Sequence, residues 1–273
     1  LLLLLAALVT IAAYARPAAI LAAPSSALQP MRQLRPLSTT AVATAAAAAT
    51  NSSPRPSLRA GLIMLVVERF PPWWPWLVAS YLRNAPRFEL IAVHTGERPT
   101  PPATAADAHV RYVHLTIPQL ETRLAEKLGV TAQQAAAKLA SKKGLSDLKP
   151  YYGKAFESEL AGYTHWGWVD WDLILGDIVD VVGEEAFWAS DAVTFGGATL
   201  GFAWAGQLTV FKNTRESREL YGAVDDHLAL GFKADGDGQS GWEERVFLRE
   251  TLRKFPRFSI HFHMGAQMDY KAQ

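Results

Sequence analysis

The sequence predicts an α/β domain, a mixed but mostly parallel sheet flanked by helices, behind an N-terminal stalk expected to be disordered. Three observations predict it. Short apolar runs alternate with segments of helical period from residue 61 to 273, and glycines and prolines punctuate them. Residues 24–60 instead hold Ala, Ser, Thr and Pro without a sustained amphipathic period.

Taken in order, "GLIMLVVERF" is suited to a buried strand, and the prolines of "PPWWPWLVASYLRNAP" favour a helix from Pro75 to Asn84. "FELIAVHTG" and "VRYVHLT" read as the next two strands. "IPQLETRLAEKLG" and "TAQQAAAKLASKKG" read as helices stopped by Gly129 and Gly144, and "YGKAFESELAGY" as a further helix. "HWGWVDWDLILGD" then opens as a strand. "DAVTFGG" and "LGFAWAGQLTVFKNT" suggest strands, followed by helical "RESRELYGAVDDHLALG" and "EERVFLRETLRKF".

The chain has 273 residues, 49% of them hydrophobic, enough for one core of ordinary size. Its net charge is +1, unevenly placed. No acid precedes Glu68, whereas five of the 27 basic residues do, leaving 22 basic against 26 acidic residues beyond them. Such a body gives no electrostatic reason to bind nucleic acid. The lack of cysteine excludes disulfides and thiolate metal sites.

"LLLLLAALVTIAAYAR" suits the apolar region of a signal peptide over residues 1–23, or a signal anchor if the apolar run extends upstream. Membrane anchoring through the N-terminus and a Golgi or ER lumen address follow as expectations. A competing reading is an organelle transit peptide starting at Met31. Asn51, in "NSS", is a glycosylation acceptor pattern that would fit a luminal stalk.

Residues 165–177 carry Asp170, Asp172 and Asp177 among tryptophans and aliphatic residues. On a strand, Asp170 and Asp172 share a face and Trp171 opposes them. Ligands of open α/β sheets bind beyond the carboxyl ends of strands. Two close carboxylates repel, and a divalent cation removes the conflict; Mg²⁺ or Mn²⁺ takes one or two carboxylates together with substrate phosphates. Alternatively, Asp172 simply ends the strand. Asp177 reads as the cap of a helix beginning "IVDVVGEEAFW".

The wider block "SDLKPYYGKAFESELAGYTHWGWVDWDLILGDI" resembles the signature of a poorly characterised family of GT-A-like, Rossmann-related glycosyltransferase relatives met in polysaccharide biosynthesis. Its positions here are Asp147, Lys149, Pro150, Tyr152, Gly153, Trp166, Gly167, Asp170, Asp172, Gly176 and Asp177. The resemblance extends to Ser80, Asn84 and Pro86, to Gly206, Thr209 and Asn213, to Glu243 and Glu244, and to the histidines of "IHFHMG". Two departures stand out: "VVERF" lacks the family's aromatic-Gly ending, and the second strand ends in Thr95-Gly96 where the family has Thr-Asp beside the nucleoside.

What the resemblance implies is sugar transfer from a UDP- or GDP-sugar to a glycan or glycoconjugate acceptor. Asp172 would bind Mn²⁺ or Mg²⁺ directly, and Asp170 would contact the ribose or bind the metal through water. His261 or His263 would complete the metal's ligands. Asp147, Lys149, Tyr152 and Gly206 would lie on the donor side, with Lys149 offsetting diphosphate charge. Glu243 or Glu244 would face the acceptor and serve as base in an inverting reaction. Each has a plainer alternative: Lys149 a solvated charge, Glu243 and Glu244 the acidic first turn of a helix, His261 and His263 an exposed pair on one strand face.

Two other classes stay open. "VDWDLIL" loosely resembles the nucleophile motif of haloacid-dehalogenase-type phosphatases, with Asp225 and Asp226 as a downstream metal pair. A GT-A-like fold that binds glycans, or acts as a scaffold, without turnover is the third.

Overall fold

The computed structural model describes residues 55–99, 110–140, 142–195, 206–232 and 246–263. The chain divides into units 1–54 and 55–273, and every described residue belongs to the second. The leader, Met31, Asn51, most of the stalk, Glu243 and Glu244 lie outside the described residues.

Seven strands form one sheet among the described residues: β1 (Ala60–Val66), β2 (Phe88–His94), β3 (Val110–His114), β4 (His165–Val169), β5 (Ala192–Phe195), β6 (Leu208–Lys212) and β7 (Ile260–His263). Their order is β3-β2-β1-β4-β6-β5-β7. β6 runs antiparallel to β4 and β5; the other pairings are parallel. The sheet is therefore mixed and mostly parallel, as the alternation of strands and helices predicts.

Strand alternation divides the core into two layers. On β1, Leu62, Met64 and Val66 face one layer with Trp74, Leu77 and Tyr81 of α1 (Trp74–Tyr81). Ile63 faces the other, with Leu120, Leu124 and Leu128 of α2 (Ile117–Leu128) and with Trp166, Trp168 and Phe211. Both faces are apolar because helices cover both. The fold starts slightly before Gly61, since Leu58 and Ala60 are already buried.

α2 and α3 (Ala132–Leu139) each open with a capping box, Thr116 with Gln119 and Thr131 with Gln134. Gly129 stops α2 at φ 72°, as expected. Gly144 does not stop a helix. It lies inside α4 (Lys142–Asp147), where a Cβ would sit 2.2 Å from the Lys138 carbonyl oxygen, so the glycine permits a close approach instead. The helix expected over "YGKAFESELAGY" is reduced to α5 (Tyr152–Ala155). Turns follow, with Phe156 and Leu160 still fully buried.

α6 (Ile178–Val182) is capped by Asp177, which accepts a hydrogen bond from the Asp180 amide at 3.0 Å. α7 (Glu184–Ala189), α8 (Arg215–Arg218), α9 (His227–Gly231) and α10 (Phe247–Lys254) complete the helices. No helix among the described residues is long and apolar enough to cross a membrane.

Candidate functional site

A cleft of about 920 Å³ opens at the carboxyl ends of β1 and β4. One wall is the segment from Met64 to Trp73; the others come from Leu139, Ala140, Leu145, Ser146, Lys149 and Tyr152, and from Val169 through Asp172. β4 ends at Val169, so Asp170 and Asp172 do not alternate along a strand as the sequence suggests. They sit in the turn beyond it. Both nevertheless line the same cleft.

β4 reaches this rim as a fully buried strand because its neighbours leave no other room. A Cβ on Gly167 would lie 2.3 Å from the Thr209 carbonyl oxygen, while Trp166 stacks on Phe211 at 4.9 Å between ring centroids. The loop after the acids is tied to α1. Ser80 Oγ accepts from the Leu175 amide at 3.1 Å, Asn84 Oδ1 accepts from the Ile178 amide at 2.8 Å, and Asn84 Nδ2 donates to the Gly176 carbonyl at 2.8 Å. The Ser80…Asn84 pattern is thus a brace for this loop.

Lys149 is 6% exposed and pairs with Asp170 at 2.5 Å, while also donating to the Gly206 carbonyl at 2.7 Å. It is no solvated charge. Tyr152 is buried beside them; burial first, then the charge of Asp170, pushes its hydroxyl well above the ordinary tyrosine range, so it stays protonated. Tyr81, buried beneath the same charge, is raised for the same two reasons, and its hydroxyl has no hydrogen-bond partner among the described residues. Asp172 is exposed at the mouth.

Other expected site residues lie elsewhere. Asp147 does not line the cleft; it is buried against Lys138 at 2.7 Å, a structural pair. His261 and His263 do share one strand face, with rings stacked at 6.4 Å, but on β7, two strands beyond β6 on the side of β4 away from β1. With β6 and β5 between β7 and β4, the lateral separation is about 14 Å. Among the described residues no three His, Asp or Glu side chains converge as a metal cage. Asp225 is bound on the surface by Lys254 at 2.7 Å and, like Asp226, lies outside the cleft lining. Of the tryptophans, Trp74 is core, Trp76 is 71% exposed, and Trp73 lines the cleft, donating to the Trp171 carbonyl at 2.8 Å.

Two cleft residues were legible in the sequence only as departures from a pattern, Glu68 and Arg69. Glu68 has φ 71°, a left-handed backbone at a non-glycine residue, which signals a constrained site.

The donor set suits an ion shared with a ligand better than one held by protein alone. Two carboxylates on one wall, with phosphate oxygens completing the sphere, match the habit of Mg²⁺ and Mn²⁺.

A family model, "Family of unknown function (DUF6625)", matches residues 62–232. The chain belongs to the DUF6625 family. The matched stretch runs from β1 to α9 and so contains the whole cleft wall. No curated protein matches this DUF6625 member. Solved structures that are similar to it include a cytidylyltransferase from Leptospira borgpetersenii serovar Hardjo-bovis, 9% identical, with 76% of each chain covered and a TM-score of 0.38. The galactosyltransferase LgtC in complex with donor and acceptor sugar analogs is 8% identical, with 72% of each chain covered and a TM-score of 0.38. Glucosyl-3-phosphoglycerate synthase from Mycobacterium tuberculosis, in complex with Mn²⁺, UDP and phosphoglyceric acid, is 13% identical over 88% of this chain and 80% of that one, with a TM-score of 0.38. At such identities a shared chain path does not carry chemistry with it.

Proposed function

We propose that the protein is a metal-assisted glycosyltransferase that moves a sugar from a nucleoside-diphosphate sugar to a glycan or glycoconjugate acceptor. The observation that supports it is the cleft itself, in which Asp170, Asp172, Lys149 and Tyr152 converge at the carboxyl ends of parallel strands. A pair of acids beside a cation and a protonated phenol is a poor place for an apolar ligand and a good one for a charged diphosphate and its counter-ion.

Asp172, exposed at the mouth, with Asp170 behind it, would hold Mn²⁺ or Mg²⁺ together with the diphosphate. When bound, such an ion neutralises the charge that builds on the departing diphosphate. Lys149 keeps Asp170 oriented and adds positive charge on the leaving-group side. Arg69, at the end of the β1 wall, adds a second cation that carries no ion pair among the described residues. Acceptor deprotonation would fall to Glu243 or Glu244, the proposal carried by the resemblance of "GWEERVFLRETL".

Thermal shift with nucleoside diphosphates tests the site. UDP or GDP is expected to raise the melting temperature only with Mn²⁺ present, and Asp172→Ala is expected to abolish the rise. Equal shifts in wild type and variant would remove the site. A second reading, glycan binding without turnover, is favoured by one feature: Trp73 and Trp171 form an exposed aromatic pair at the cleft, 5.9 Å between ring centroids. Mn²⁺-dependent hydrolysis of a nucleotide sugar would decide for the transferase.

A further inference from the structure

Glu68 terminates the β1 wall in an unusual way. The Arg69 amide donates to the Val67 carbonyl at 3.1 Å, closing a three-residue turn about Glu68, whose φ is 71°. Turns of this positive-φ kind are rare and strained. Two contacts brace it: the Glu68 amide donates to Thr95 Oγ1 at 2.9 Å, and the Glu68 carbonyl oxygen lies against Gly96, where a Cβ would sit only 1.5 Å away. No side chain fits at residue 96, so β2 cannot present a carboxylate there. Glu68 itself lines the cleft, exposed and with its side chain in no hydrogen bond or ion pair among the described residues.

We infer that Glu68 is the specificity-determining residue for the nucleoside part of the donor, its carboxylate accepting from the ribose 2′- and 3′-hydroxyls. This rests on the donor reading above and extends it. A carboxylate beside a diphosphate would be repelled, and the diphosphate is read above as lying by Lys149, Asp170 and Asp172, whereas Glu68 belongs to the wall formed by Met64 to Trp73. What a free carboxylate matches is a neighbouring pair of donors that are themselves uncharged, and a vicinal diol supplies both from one ring.

Isothermal titration tests it. Wild-type protein, with Mn²⁺, is titrated with UDP and GDP and with the 2′,3′-dideoxy form of whichever binds tighter. The ribose form is expected to bind about 10-fold or more tighter, the range of hydrogen bonds to a charged acceptor. In Glu68→Gln, which keeps the shape, the ratio is expected to fall several-fold. In Glu68→Gly, which accepts the positive φ without strain, it is expected to approach one while the unliganded melting temperature is no lower than wild type. An unchanged ratio in both variants overturns the inference, as does a fall in affinity that is equal for the ribose and dideoxy forms, since that places the carboxylate on the base. Wild-type protein that binds no nucleoside diphosphate overturns the donor reading and this inference together; binding without ribose preference overturns this inference alone.

Discussion

Lys149 and Asp147 stand two residues apart and resemble the same signature, yet they do different work. Lys149 turns into the cleft and holds Asp170 and the Gly206 carbonyl; Asp147 turns into the protein and holds Lys138. Both Lys138 and Asp147 are nearly fully buried, so Asp147→Ala removes the paired carboxylate from a buried ammonium. The expected cost is about 3–5 kcal/mol in chemical denaturation, with nucleotide binding retained by the fraction that folds. Lys149→Met should act the other way. Asp170 keeps partial contact with solvent, so the stability loss is expected to be smaller, about 1–2 kcal/mol, while the Mn²⁺-dependent nucleotide shift is lost. A sequence shows which acids and cations are close along the chain; it does not show which way alternate residues turn at the junction of α4 with the short 3-10 turn Lys149–Tyr151.

At the scale of elements, the loop carrying the two acids takes its shape from α1 and the helical turn after it, far away in sequence. Ser80 and Asn84 satisfy the buried amides of Leu175 and Ile178 and the Gly176 carbonyl. Asn84→Ala is expected to leave the buried Ile178 amide unpaired and to release the exposed Gly176 carbonyl, costing about 1–3 kcal/mol and weakening nucleotide binding through the displaced loop; titration calorimetry and denaturant melts check both. Thr116→Ala, which removes the α2 capping box far from the cleft, should cost only about 1 kcal/mol and leave binding untouched. The cap at Asp177 was legible because capping is a matter of residues three apart. The truncated helix after Tyr152 and the helical Gly144 were not, because the sheet and α3 decide them.

For the whole molecule, the buried histidines set how stability responds to acid. Burial lowers the pKa of His165 on β4 below 6.5, the Phe187 carbonyl opposing and Lys212 assisting. Burial also lowers that of His94 on β2, with the Gly96 carbonyl opposing and His114 and Arg98 adding to the effect. In the unfolded chain both take up a proton near pH 6.5. In the folded protein they resist, so the unfolded state binds more protons and stability falls as pH drops below 6.5 towards the lowered values. Glu159 continues the trend: burial raises its pKa, but hydrogen bonds from Ser158 and Arg123 outweigh it, and the net lowering makes its stabilisation vanish as pH falls through 4.5 and below. Melting temperature is therefore expected to decline steadily from pH 7 to pH 4, with a shallower slope between pH 6.5 and 5 in His165→Gln. A flat profile would contradict the burial of these groups.

By itself, the sequence determined the order of strands and helices, the apolar β4 leading to a pair of acids, and the mostly parallel sheet with those acids at its carboxyl rim. Those follow from periodicity and capping, interactions between residues a few positions apart. Tertiary structure alone decided that β6 runs against its neighbours, that His261 and His263 sit on a distant strand, that Asp147 is a buried ion pair, and that Glu68, in a strained turn, lines the cleft. Each of these depends on which backbone or charge comes to lie opposite after the chain closes on itself, and that pairing is settled by packing between segments tens of residues apart.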